Sequence, residues 1–158
     1  MLLYQLQVIV SNEGTRVVDI ERNKASVRRV FEEGFGQGRL DVVDEGLAAD
    51  AVDHHEAPVG DFRNHLKGVI AMLRGAMPDL AMTVEDLIAE GDRVAVRVMM
   101  TGTHTGDEFF GISASGNPVR VEQFHIVQCD EDGRGTNHWA AVGENELLNQ
   151  LRGAPVPG

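Results

Sequence analysis

At 158 residues the chain suits one domain, long enough to bury roughly 70% of its unfolded surface without staples. Its net charge of −11 argues against nucleic acid or an anionic membrane as partner, since both need clustered Lys and Arg. The one cysteine, Cys129, rules out an intramolecular disulfide and suits a reducing cytoplasm, and no apolar run nears the roughly 20 residues that span a bilayer.

Leu2 to Val10 is rich in strand formers but lacks the basic n-region and cleavage site of a signal peptide, so the expected location is cytoplasmic. Ser11–Thr15 reads as a turn or linker, and residues 1–19 form an arm that is an edge strand, a subunit-contact arm or a disordered tail. From about Glu21 to Gln37, Val27, Val30, Phe31 and Phe35 recur at helical spacing until Gly36 and Gly38 stop the pattern. Leu40, Val43 and Leu47 predict a second, shorter helix. Ala51–His55 reads as a brief extended segment ending at Pro58. Asp61 is a good N-cap for a third helix through Phe62, Leu66, Val69, Ile70, Leu73 and Met77, which Pro78 ends.

The second half reads as strands. Ala81–Glu90 leads to a Glu-Gly-Asp turn, and Arg93–His104 alternates, with Val94, Val96, Val98, Met100 and His104 on one face. A polar loop from Thr105 to Asn117 precedes Val119–Val127, where Val119, Val121, Gln123, His125 and Val127 share a face. After the acidic turn Asp130–Gly133, His138 and Ala140 share a face of the returning strand, opposite Trp139. A last helix holds Leu147, Leu148 and Leu151. Helices first and a strand meander afterwards predict an α+β fold: helices packed on a curved mixed or antiparallel sheet that encloses a hydrophobic cavity.

Gln123 and His125 on a greasy face, with His104 ending a second inward row, are the strongest candidates for chemistry. Buried polar groups cost free energy when unpaired, and a polar ligand is a natural partner. The bland alternative is a core histidine satisfied by one hydrogen bond. Asp53-His54-His55 is a second candidate, with Asp53 at the cavity mouth as acceptor or base, against the reading of a solvated strand end. Six histidines do not make a metal site here: no HExxH or CxxC spacing occurs, and none is expected. No GxGxxG, P-loop or GxSxG motif occurs either.

Several stretches together resemble the SnoaL-like polyketide cyclases, within the cone-shaped α+β barrels shared with nuclear transport factor two and ketosteroid isomerase. They are Pro78-Asp79-Leu80, Ile88–Val94, Thr101–Gly106, Glu122–His125, His138-Trp139 and Leu147–Leu151, with the helix from Asn23 to Gly38. The resemblance covers residues 20–152 as one domain and leaves 153–158 as a C-terminal tail.

It implies a flat polycyclic or poly-keto substrate and no metal or organic cofactor. It also implies an intramolecular aldol condensation run by an aspartate with a supporting histidine and glutamine. By position the histidine resembles His125 and the glutamine Gln123, with Asp53 at the mouth. His104, His54, His138, Ala140 and Met100 are expected to contact substrate. The aspartate should follow His138-Trp139, where this chain has Ala140; the family's next acidic position holds Gly143.

That departure points to the family's hydroxylases of anthracycline-type antibiotic intermediates. His125 would act as base, and electrons would come from the substrate or a partner reductase. The alternatives are a polyketide cyclase with a relocated acid, for which Asp53 is the substitute, and a non-catalytic ligand-binding protein. A homodimer is expected through the outer sheet face, where Arg97, Thr101, Arg120 and Phe124 point.

Overall fold

Asp19 ends one element and starts the next. The computed structural model describes residues 6–11, 14–56 and 60–158. Within them β1 (Leu6–Ser11) and β2 (Gly14–Asp19) pair antiparallel as a sheet of their own. Within the described residues the arm is therefore an antiparallel strand pair, and not an added strand of the main sheet. Residues 1–5 lie outside the described residues, as does Pro58. The Asp19 carboxylate then accepts from the Arg22 amide at 2.9 Å and caps α1 (Ile20–Arg29).

The predicted single helix to Gln37 is divided. α1 continues into a π-helical turn, Val30–Phe35, that buries Val30, Phe31, Gly34 and Phe35. Such a turn inserts a residue into the ladder and re-aims the side chains after it, and it recurs near functional sites. α2 (Asp41–Gly46) is short. α3 (Phe62–Ala76) starts as expected at Asp61, whose carboxylate accepts from the Asn64 amide, and buries Phe62, Ile70, Leu73 and Ala76. α4 (Glu144–Leu151) closes the chain and buries Leu147, Gln150 and Leu151.

Five strands make the main sheet: β3 (Leu47–Asp53), β4 (Ala81–Glu90), β5 (Arg93–Thr103), β6 (Pro118–Cys129) and β7 (Gly135–Ala141). Their order is β3-β7-β6-β5-β4, with β3 parallel to β7 and the other pairs antiparallel. Register slips between Val84 and Asp86 in β4 and between Gln128 and Cys129 in β6, and such bulges bend a sheet. The fold is thus α+β: helices over a curved, open mixed sheet, in the cone-shaped form. Alternation in β6 is strict, burying Val119, Val121, Gln123, His125 and Val127 and exposing the residues between. The same alternation in β5 buries Val94, Val96, Val98 and Met100. These faces meet the helices in one core.

The loop after β5 docks on the end of α3. The Gly106 amide donates to the Ala76 carbonyl at 3.0 Å and the Asp107 amide to the Gly75 carbonyl at 2.8 Å. A β-carbon added at Gly106 would sit 1.9 Å from the Gly75 oxygen, so the backbones approach this closely only with glycine there. Gly106→Ala is expected to cost roughly 1–3 kcal/mol of stability, as overpacking against backbone does. Urea denaturation checks it, and an unchanged midpoint would mean the loop does not dock on α3.

Candidate functional site

The parallel register of β3 and β7 sets Asp53 beside His138, and the antiparallel register of β6 and β7 sets Val127 opposite His138 and His125 opposite Ala140. Three strand residues far apart in sequence therefore face one interior. There they form a single hydrogen-bonded row. Asp53 Oδ1 lies 2.8 Å from His138 Nδ1, His138 Nε2 lies 2.9 Å from His125 Nδ1, and His125 Nε2 lies 3.2 Å from Gln123 Oε1. The Gln123 amide nitrogen is 3.7 Å from the Met100 sulfur, and the His55 amide donates to Asp53 Oδ1 at 3.0 Å.

The row is dry. Side-chain exposure is 5% at Asp53 and 16% at His138, and Gln123 and His125 are buried. Phe31 of the π-helical turn sets its ring 4.7 Å from that of His125, and Phe62 stacks on His138 at 5.7 Å. Burial, helped by charge on His138 and His55 and opposed by Asp53, pushes His125 from its ordinary 6.5 down to about 3. His125 is therefore neutral at physiological pH. Burial acts upward on Asp53, but hydrogen bonds from His138 and the His55 amide more than offset it and hold the carboxyl below its ordinary value. Asp53 is therefore ionised.

With Asp53 ionised, His138 Nδ1 must carry a proton, which leaves two arrangements. In one, His138 is neutral and Nε2 accepts from His125 Nδ1–H, so His125 Nε2 bears a lone pair and meets Gln123 Oε1, acceptor against acceptor. In the other, His125 Nε2–H donates to Gln123 Oε1, and His138 carries both protons against the Asp53 carboxylate. The two differ by one proton. The row can accept a proton at His125 Nε2 and store its charge at His138.

This row lines a cavity of about 410 Å³, whose walls include Phe35, Val69, Met72, Leu73, Met82 and Met100, with Phe109, Phe110, Leu147 and Leu148. The volume fits a small organic ligand. At the same cavity His55 Nδ1 donates to the Ala140 carbonyl at 3.1 Å and its Nε2 lies 3.0 Å from Glu144, while His65 Nε2 lies 2.6 Å from Glu56.

Of the expected site residues, Asp53, Gln123, His125, His138 and Met100 meet at this cavity, and Ala140 sits across from His125. Two do not. His104 has the expected inward parity and is fully buried, but it lies beyond the cavity. Its Nε2–H donates to the Asp107 carbonyl at 2.9 Å and its Nδ1 meets Ser115 Oγ at 3.3 Å, so it clasps the following loop and has nothing left for a ligand. His54 is exposed on the other side of β3, where its ring stacks 4.8 Å from Trp139 and Nε2 meets Asn137 Oδ1 at 2.8 Å. Alternation sends it outward once Asp53 points in. That same alternation turns His55, the last residue of the Asp53-His54-His55 candidate, inward to the cavity. Glu144, Phe109 and Phe110 gave no comparable signal, because only the docking of α4 and of the loop brings them to the cavity. Among the described residues no His, Cys, Asp and Glu side chains cluster as a metal site, and no helix is long and apolar enough to cross a membrane.

A curved sheet closed by helices, with buried polar side chains converging on one cavity, defines the cone-shaped α+β class. The chain belongs to the SnoaL-like polyketide cyclase family, whose sequence profile matches residues 25–151. Membership implies a small polyketide-type substrate. Among solved structures, TsrD from Streptomyces laurentii is similar at 26% identity over 81% of this chain and 96% of its own, with a TM-score of 0.71. IdmH from Streptomyces antibioticus, a provisionally named polyketide cyclase, is similar at 29% identity over 82% of this chain and 98% of its own, with a TM-score of 0.70. AclR from Streptomyces galilaeus, a provisionally named hydroxylase, is similar at 26% identity over 88% of this chain and 86% of its own, with a TM-score of 0.72. No curated protein is significantly similar in sequence.

Proposed function

We propose that this protein tailors an aromatic, anthracycline-type polyketide in an antibiotic pathway, and that it hydroxylates a polycyclic intermediate rather than closing a ring by the family's usual aldol step. The observation that carries the chemistry is the row Asp53–His138–His125–Gln123. The substrate's acidic proton passes to His125 Nε2 while His125 Nδ1–H passes to His138 Nε2. His125 changes tautomer without becoming cationic, and the new charge rests on His138 against Asp53. In this reading His125 is the base through which the proton enters, and an imidazole held near 3 passes that proton on to His138. Gln123 then accepts the new Nε2–H.

The electron-rich substrate anion reacts with dioxygen. One oxygen atom enters the ring as hydroxyl and the other leaves as water, with two electrons supplied by a hydroquinone or by the reduced nicotinamide of a partner reductase. Two things favour this over the aldol route: the family's acid position holds Ala140, and AclR is among the similar structures. A cyclase in which Asp53 and His138 replace that acid is the second reading, and the same row supports it. Incubating the protein with a hydroxyanthraquinone intermediate and ¹⁸O₂, with and without a reductase, distinguishes the two. Label in the product is expected; ring closure without label would give the chain to the cyclases. Neither product, with danthron binding unchanged in a His125→Ala variant, would make it a carrier.

The outer sheet face supports a homodimer. Phe124, Ile126 and Ile88 are exposed there beside Arg97, which is itself held by Asp86 and Glu122 at 2.6 and 2.7 Å. Light scattering on a sizing column should give twice the chain mass. A cytoplasmic location suits a chain whose one cysteine is buried.

A further inference from the structure

We propose that Phe110 grips the substrate, laying its ring against the face of a flat aromatic ligand at the cavity mouth; this rests on reading the cavity as a site for planar polyketides. Phe110 sits at the tip of a tight hairpin in which Phe109 and Ile112 exchange backbone hydrogen bonds at 3.0 and 2.9 Å. The two central residues have φ of +48° at Phe110 and +76° at Gly111. Two positive φ values mark the turn type that selects Asn, Asp or Gly at its first central position. A phenylalanine there forces its β-carbon toward the backbone, and it is the one non-glycine residue with positive φ among those described.

The ring is not compensated by the core either. Phe110 is 70% exposed, the most of any large apolar side chain among the described residues, while its neighbour Phe109 is 3% exposed and anchors the turn from below. The two rings meet edge to face at 4.7 Å and 85°, an arrangement that holds the Phe110 ring in a defined orientation. Both line the cavity that holds His125 and Gln123.

The turn is also held from behind. His104 donates to the Asp107 carbonyl, the Gly116 amide donates to the His104 carbonyl at 2.8 Å, and Asn117 Nδ2 donates to the Leu151 carbonyl at 2.9 Å. An anchored loop that presents an exposed, conformationally disfavoured aromatic ring over a cavity is suited to stacking on a planar occupant. Local backbone preference and burial in the free protein both oppose Phe at this position; a ligand face would cover it.

Calorimetric titration of the intact protein with the tricyclic dihydroxyanthraquinone danthron tests this in wild type, Phe110→Gly and Phe110→Tyr. Glycine accepts the positive φ, so Phe110→Gly should keep the wild-type Tm or raise it while removing the ring. We expect it to weaken danthron binding about three- to tenfold, as the loss of one aromatic contact does, and Phe110→Tyr to restore wild-type affinity. Equal affinity for wild type and Phe110→Gly overturns the proposal, leaving the cavity reading intact. No uptake of danthron by the wild type overturns both. A lower molecular mass for Phe110→Gly by light scattering, with affinity unchanged, would assign the ring to a subunit contact and also overturn it.

Discussion

Asp53→Asn is expected to lower turnover of the polyketide intermediate by roughly 10²–10⁴-fold, the usual contribution of positioned acid–base groups. The replacement is nearly isosteric, so the fold of β3 should survive. What changes is the charge at the end of the row. The Asp53 carboxylate accepts from His138 Nδ1–H at 2.8 Å and from the His55 amide at 3.0 Å. Both donors meet the same oxygen, Oδ1, so an asparagine that keeps its oxygen there still accepts from both but carries no charge. The positive charge that turnover places on His138 then loses its counter-ion. Initial rates with the substrate of the labelling experiment measure the effect, and a loss below about tenfold would remove Asp53 from the chemistry. The wild-type carboxyl is held below its ordinary range, so it stays ionised as pH falls to that range. The stability its ionisation contributes is full above the unfolded value of roughly 3.9 and is lost as pH falls through the folded value.

The second large effect concerns stability, and it comes from His125. This buried imidazole is pushed down to about 3, against 6.5 in an unfolded chain. Between those values the unfolded chain binds a proton that the folded protein refuses, so protons favour unfolding. The loss begins as pH falls through about 6.5 and ends near 3, where both states are protonated. From pH 7 to 4.5 it amounts to roughly 2–3 kcal/mol, a large share of the stability of a domain this size. His125→Gln removes the titrating group. It should cost stability at neutral pH, where the contact with His138 is lost, but its stability should fall less steeply with acid. Urea denaturation of both proteins at pH 7 and 4.5 gives the two slopes. Equal slopes would show that His125 takes up its proton without unfolding, and would then count against the dry environment that the proton relay needs.

The site was legible in sequence where alternation alone determines a face. Val119, Val121, Gln123, His125 and Val127 share one side of β6 because successive strand residues point oppositely, and no partner is needed to infer it. Asp61 marked the start of α3 for an equally local reason: a carboxylate one residue before a helix satisfies an amide that the helix leaves open. His104 shows the limit. Its parity was read correctly and its role was not, since parity says that a side chain points inward but not what lies there. The π-helical turn that brings Phe31 onto His125 was likewise hidden inside a pattern that reads as one helix.

By itself the sequence determined the order of elements, the inward face of each strand and the presence of polar groups on greasy faces, because these follow from neighbours within a few residues. Tertiary structure decided which of those groups meet. Asp53 and His138 are 85 residues apart and become partners only through the parallel register of β3 with β7. Register is set by packing across the whole sheet, and a slip of one residue would turn His138 away from both Asp53 and His125. The same holds for Phe110, whose place at the cavity mouth depends on a loop fastened to α3 by a close backbone approach at Gly106.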